Sequence, residues 1–119
     1  MPSAPTWPYE LLVATAGGQG SLTDDGMDRN GLASILIDVL ARLDQVAEGV
    51  MPYMLWIHQR PSSSEVFAPQ PLHLHISPYL RSPGTPRYVA SAELGGGIHF
   101  DPVEPAAAAR TLREQPGPP

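Results

Sequence analysis

Leu72-His73-Leu74-His75-Ile76-Ser77-Pro78 alternates between apolar and polar side chains with a period of two. In a strand, successive side chains point to opposite faces. Leu72, Leu74 and Ile76 therefore share one face, and His73 and His75 share the other. Such a strand needs cover on its apolar side, while its reverse carries two imidazoles side by side. Pro78 cannot donate to a sheet ladder, so the strand should stop there or lie at an edge. Two neutral imidazoles two residues apart can reach one metal ion, at about 2.0–2.1 Å for zinc. They can equally be two half-exposed histidines with no ligand.

Upstream, Pro52-Tyr53-Met54-Leu55-Trp56-Ile57-His58 reads as another strand, rich in apolar and aromatic side chains. The polar, proline-rich run from Gln59 to Pro71 joins the two, and it is long for a hairpin loop. Antiparallel pairing of these strands brings His58 close to His73 and His75. Three imidazoles then converge at one end of a sheet, a more specific constellation than His-x-His alone.

Before this pair, Tyr9 to Thr15 reads as a short strand, broken by Ala16-Gly17-Gly18-Gln19-Gly20. A glycine run after a strand invites a phosphate-loop reading. No Lys-Ser/Thr follows, however, and no helix starts at once, so a flexible connection is expected. Thr23 is a plausible helix N-cap, with Asp24 and Asp25 suited to the positive end. Leu32, Ile35, Leu36, Val39, Leu40, Leu43, Val46 and Ala47 then recur at helical spacing up to Gly49, a natural stop. Gly31 inside this helix costs about 1 kcal/mol relative to alanine. Downstream, Arg81 to Pro86 is turn-rich, and Arg87 to Leu94 reads as a further strand before Gly95-Gly96-Gly97. The alanine-rich run from Pro105 to Arg113 predicts a short terminal helix. The expected fold is α+β: a mostly antiparallel sheet, one long helix and a short C-terminal helix. Residues 1–8 read as an irregular arm, 9–115 as one domain and 116–119 as a disordered tail.

Composition narrows the function. The 119 residues allow one domain with a modest core. Seven Lys and Arg and a net charge of −5 are a poor match to nucleic acid or an anionic membrane. With no cysteine, disulfides and thiolate metal sites are excluded, and a cytoplasmic location is compatible. No apolar run approaches the roughly 20 residues that span a bilayer.

Several stretches, in order, resemble the C-terminal half of galactose-1-phosphate uridylyltransferases of the histidine-triad-like superfamily. They are Trp7-Pro8-Tyr9-Glu10, the Leu22-Thr23-Asp24 helix start, Pro52-Tyr53-Met54 with Trp56 and His58, and Leu72-His73-Leu74-His75 leading to Pro78. Leu80-Arg81-Ser82, Arg87-Tyr88 leading to Glu93, and Glu104 with Ala106–Ala109 and Leu112-Arg113 complete the set. The resemblance implies transfer of a uridylyl group between UDP-glucose and galactose 1-phosphate. In the family a histidine of a His-Pro-His-x-Gln motif attacks phosphorus. No His-Pro-His occurs here, so the nucleophile is expected from a missing N-terminal half, and this chain alone should be inactive. The resemblance also implies that His58, His73 and His75 match three ligands of a structural zinc or iron site. The fourth ligand there is a glutamate of the other half. Arg87, Tyr88 and Glu93 match a segment that meets nucleotide-sugar across a homodimer interface, with Arg87-Tyr88 in place of Lys-Phe. His99 lies near a polar substrate contact and is left unassigned. A stand-alone, non-catalytic metal- or nucleotide-binding remnant is the alternative reading. A different nucleotidyl transferase or hydrolase of the superfamily is a third, because fold does not fix substrate.

Overall fold

The computed structural model describes residues 1–2, 5–61 and 70–118, so most of the proline-rich connection and Pro119 of the tail lie outside it. In chain order the elements are β1 (Leu11–Ala14), α1 (Arg29–Ala47), β2 (Tyr53–His58), β3 (His73–Pro78), β4 (Leu80–Ser82), β5 (Thr85–Pro86), α2 (Ser91–Gly96) and α3 (Pro105–Glu114). The fold is α+β, with a three-stranded antiparallel sheet in the order β1-β3-β2 and a small β4-β5 hairpin.

The opening heptapeptide is the central strand, and its two faces behave as the alternation requires. Leu72, Leu74 and Ile76 are fully buried, at 0%, 1% and 0% exposure. Leu74 and Leu72 pack with Met27, Val13, Leu22, Leu32 and Leu36. Ile76 packs with Tyr9, Leu43, Val46, Ala47 and Met51. Helix α1 thus covers β1 and β3 on this side. Ala108 and Leu112 of α3 join the same cluster, and Arg42 of α1 donates to the carbonyls of Leu112 and Gln115 at the end of α3. Within the α1 stripe Ile35 is an exception, lying outward at 49% exposure.

The start of α1 differs from expectation. Asp28 is the N-cap, not Thr23, and its carboxylate accepts from the Gly31 N–H at 2.8 Å. The residues before it form turns, in which Asp24 accepts from the N–H groups of Gly20 and Ser21 and pairs with Arg60. A Cβ on Gly31 would run into the Asp28 carboxylate, so this glycine makes room for the cap. At the other end the left-handed residue is Glu48, at φ 53°, and not Gly49. Pro105 opens α3, and the Glu104 carboxylate caps it through the N–H groups of Ala106 and Ala107.

A second correction concerns 87–94. The segment is not a strand: Arg87 to Ala90 is irregular, and Ser91 to Gly96 is helical. Glu93, at the third helical position, reaches back to the Ala90 N–H at 2.6 Å and closes a turn that a strand cannot make. The hairpin of β4 and β5 occupies the turn-rich stretch before it, with Gly84 at φ 64°.

Among the described residues, strand β2 pairs only with β3, and all six of its residues are exposed. Beyond β2, the face opposite α1 shows Leu12 at 44%, Met54 at 53% and Trp56 at 40% exposure. Tyr9, by contrast, turns into the core at 9%.

Candidate metal centre

The register of β2 on β3 sets His58 opposite His73 and Trp56 opposite His75. Directly opposed residues of an antiparallel pair share a face. The three imidazoles therefore meet on the face that α1 leaves bare. His58 and His73 stack with ring centroids 4.7 Å apart. His75 meets both edge-on, at 5.3 Å from His58 and 5.6 Å from His73. One nitrogen from each ring lies within 4.8 Å of the others. Nitrogens at about 2.05 Å from a tetrahedral zinc are about 3.4 Å apart, so small ring rotations suffice to close the set on one ion. His58 is exposed, and His73 and His75 are half-buried. His99 sits in the irregular segment after α2 and is not part of this group.

The donor set fits a cation, because on His73 and His75 one ring nitrogen is already engaged by the protein and the other is left for a ligand. Nδ1 of His73 meets the Pro71 carbonyl at 2.9 Å. Nδ1 of His75 faces the Glu10 carboxylate at 3.4 Å. Partners of this kind on the far side of a ring are the usual support of metal-ligating histidines. The His75 ring also stacks on Trp56, with centroids 5.1 Å apart and planes within 5°. Glu10 was not singled out from sequence. The available signal was its parity with Leu12 and Ala14: in β1 register, it falls on the histidine face.

The end of β2 is clasped to the loop after β1. Arg60 N–H donates to the Gly20 carbonyl at 2.7 Å, and Leu72 N–H to that of Gln19 at 2.7 Å. Gln59 accepts from the Ser21 hydroxyl and the Leu22 N–H. The glycine-rich run is thus a hydrogen-bonded loop that fixes His58 at its neighbour Gln59. It also borders a cavity of about 380 Å³ lined by Val13, Gly17, Met27, Leu32 and Leu74 among others.

Arg87, Tyr88 and Glu93 lie apart from the histidines, and the structure treats them differently. Arg87 and Glu93 form a buried ion pair. The Arg87 guanidinium also donates to the carbonyls of Tyr88 and Phe100 and lies 5.0 Å from the Trp7 ring centroid. Trp7 in turn donates its indole N–H to the Pro78 carbonyl, pinning the N-terminal arm beside β3. Tyr88 is 70% exposed. The Arg87 guanidinium, helped by the Ala90 N–H, holds the Glu93 carboxyl down at about 2 from the ordinary 4.5. A depressed carboxyl stabilises the fold above its unfolded pKa and loses that contribution as pH falls through its folded one. The parent should therefore lose stability between about pH 4.5 and 2 more steeply than Glu93→Gln does. Urea midpoints across that range check this; parallel curves would show that the pair contributes nothing to acid stability.

Residues 1–112 match the family model described as galactose-1-phosphate uridyl transferase, C-terminal domain. A galactose-1-phosphate uridylyltransferase of Cryptococcus neoformans is 33% identical over 113 residues, covering 91% of this chain and 29% of that protein. The Saccharomyces cerevisiae protein of the same name is 30% identical over 115 residues, 93% of this chain and 31% of its own. Among solved structures, a uridylyltransferase superposes with a TM-score of 0.76 at 30% identity, over 94% of this chain and 37% of that one. A uridylyltransferase mutant reaches a TM-score of 0.80 at 29% identity, over 94% and 36%. The chain thus spans about a third of the length of the relatives it matches.

Proposed function

Because the chain belongs to the C-terminal domain family of galactose-1-phosphate uridyl transferases, we propose that it serves a uridylyltransferase acting on UDP-glucose and galactose 1-phosphate. Its part is a structural metal site and one wall of the nucleotide-sugar pocket. The observation that carries this reading is the meeting of His58, His73 and His75, whose donor nitrogens lie within 4.8 Å of one another on the sheet face opposite α1. Zinc or iron suits three imidazoles plus one oxygen donor. The metal would hold the sheet end together, and the histidines act as ligands, since a lone pair committed to metal cannot attack phosphorus.

For the pocket wall, Tyr88 is the outward-facing member of the Arg87-Tyr88-Glu93 set. Arg87 and Glu93 neutralise each other and hold the segment that presents it. Tyr88, Leu94, Ile98 and Phe100 are each at least 67% exposed, an apolar surface suited to a second copy in a homodimer. The open face and edge at β2 suit an N-terminal half. No described helix is long and apolar enough to cross a membrane.

Release of glucose 1-phosphate from UDP-glucose tests the proposal. The chain alone should give none, because none of its four histidines lies in a His-Pro-His motif. Mixed with an N-terminal half carrying His-Pro-His-x-Gln, it should give turnover. Robust turnover by the chain alone would overturn the assignment of roles. Metal binding without turnover on mixing would favour a non-catalytic module.

A further inference from the structure

We infer that Glu10 is a positioning residue for the three-histidine centre: its carboxylate holds His75 with Nδ1 protonated and turned inward, so that Nε2 offers its lone pair to a metal. The inference rests on the metal-site reading above and adds a residue to it. Glu10 is 8% exposed, and its two oxygens have different partners. Oε2 accepts from the Thr6 N–H at 3.0 Å and the Thr6 hydroxyl at 3.3 Å. Oε1 faces Nδ1 of His75 at 3.4 Å, the long end of hydrogen-bond range. Thr6 therefore anchors the carboxylate from the arm, and the free oxygen points at the ring.

Two neighbours divide the control of His75. Trp56 stacks on the ring with planes within 5°, which fixes the ring plane. Stacking leaves one freedom: a half-turn about the Cβ–Cγ bond keeps the plane and exchanges Nδ1 with a carbon. Glu10 removes it, since an ionised carboxylate is acceptor-only and N–H satisfies it far better than C–H. The same contact selects the tautomer, because the nitrogen facing the carboxylate must carry the proton. His73 is treated in the same way by the Pro71 carbonyl at 2.9 Å. Both β3 imidazoles thus keep Nδ1 for the protein.

Long-range proton–nitrogen correlation spectra of the metal-free chain above pH 7.5 read the tautomer directly. His75 is expected to carry its proton on Nδ1 in the parent, and to move toward the Nε2-protonated form in Glu10→Ala. Zinc affinity by calorimetry should weaken 10–100-fold in Glu10→Ala, the usual effect of losing an outer partner of a ligating histidine. Glu10→Gln keeps an acceptor oxygen of the same reach, so it should restore most of the tautomer and of the affinity. Should Glu10→Ala fail to fold, the parent and Glu10→Gln spectra still decide. An Nε2-protonated His75 in the parent overturns the inference, as does an unchanged tautomer in Glu10→Ala. The spectra need no metal, so they judge Glu10 independently of whether the parent takes up zinc.

Discussion

Zinc binding by the His73→Ala chain is expected to fall by more than the roughly 10–100-fold that loss of an outer-shell partner costs. His73 stacks on His58 and lies beside His75, so its removal takes one of three mutually adjacent donors and leaves a two-imidazole set. A two-imidazole remnant on an exposed face holds zinc weakly. His99→Ala serves as the control, because His99 lies outside the group and should leave affinity unchanged. Isothermal titration with zinc at pH 7.5 makes the comparison. Equal affinities for the parent and His73→Ala would sink the three-histidine site.

Leu74→Ala is expected to destabilise the chain by about 2–5 kcal/mol, the usual range for emptying a leucine site in a core. Leu74 is 1% exposed and packs with Met27, Leu72, Val13 and Leu32 beneath α1. Domains are stable by only about 5–15 kcal/mol, so this loss is a large share. Urea unfolding should show a lower midpoint with a similar slope, because the same surface is exposed on unfolding. Trp56→Ala, on the opposite face, should cost much less, since its side chain is 40% exposed. A loss below about 1 kcal/mol for Leu74→Ala would contradict the burial of that face.

Legibility in the sequence followed the range of the forces involved. The two faces of 72–78, the β2–β3 pairing and the convergence of His58 on His73 and His75 follow from a period of two and chain direction, both local signals. Helix α3 was readable from Pro105 and its alanines, and its Glu104 cap agrees. The start of α1 was not, because Thr23 and Asp28 are both good caps. The choice was made by Gly31, which leaves space for the Asp28 side chain, and by Asp24, which is drawn off to Arg60 and the Gly20 loop. The 87–94 segment misled because eight residues carry too little period to separate strand from helix. Glu93 decided it by bonding Arg87 and the Ala90 N–H at once. Glu10 was harder to read: its parity with Leu12 puts it on the histidine face, but its partner is 65 positions away and only the β1–β3 register shows which histidine it meets.

If the face that carries the histidines takes up a cation as proposed, it would tie two equilibria together. A cation held by three imidazoles there would leave room for a further donor from whatever covers the sheet. A cover that adds one donor oxygen therefore binds the loaded chain more tightly than the empty one. Thermodynamic reciprocity makes the converse equal: the cover raises cation affinity by the same factor, with about 1.4 kcal/mol for each tenfold. On the proposed site, metal supply and subunit completion would then act as effectors of one another. A chain that has found its other half would keep its ion at concentrations that strip an unassembled one.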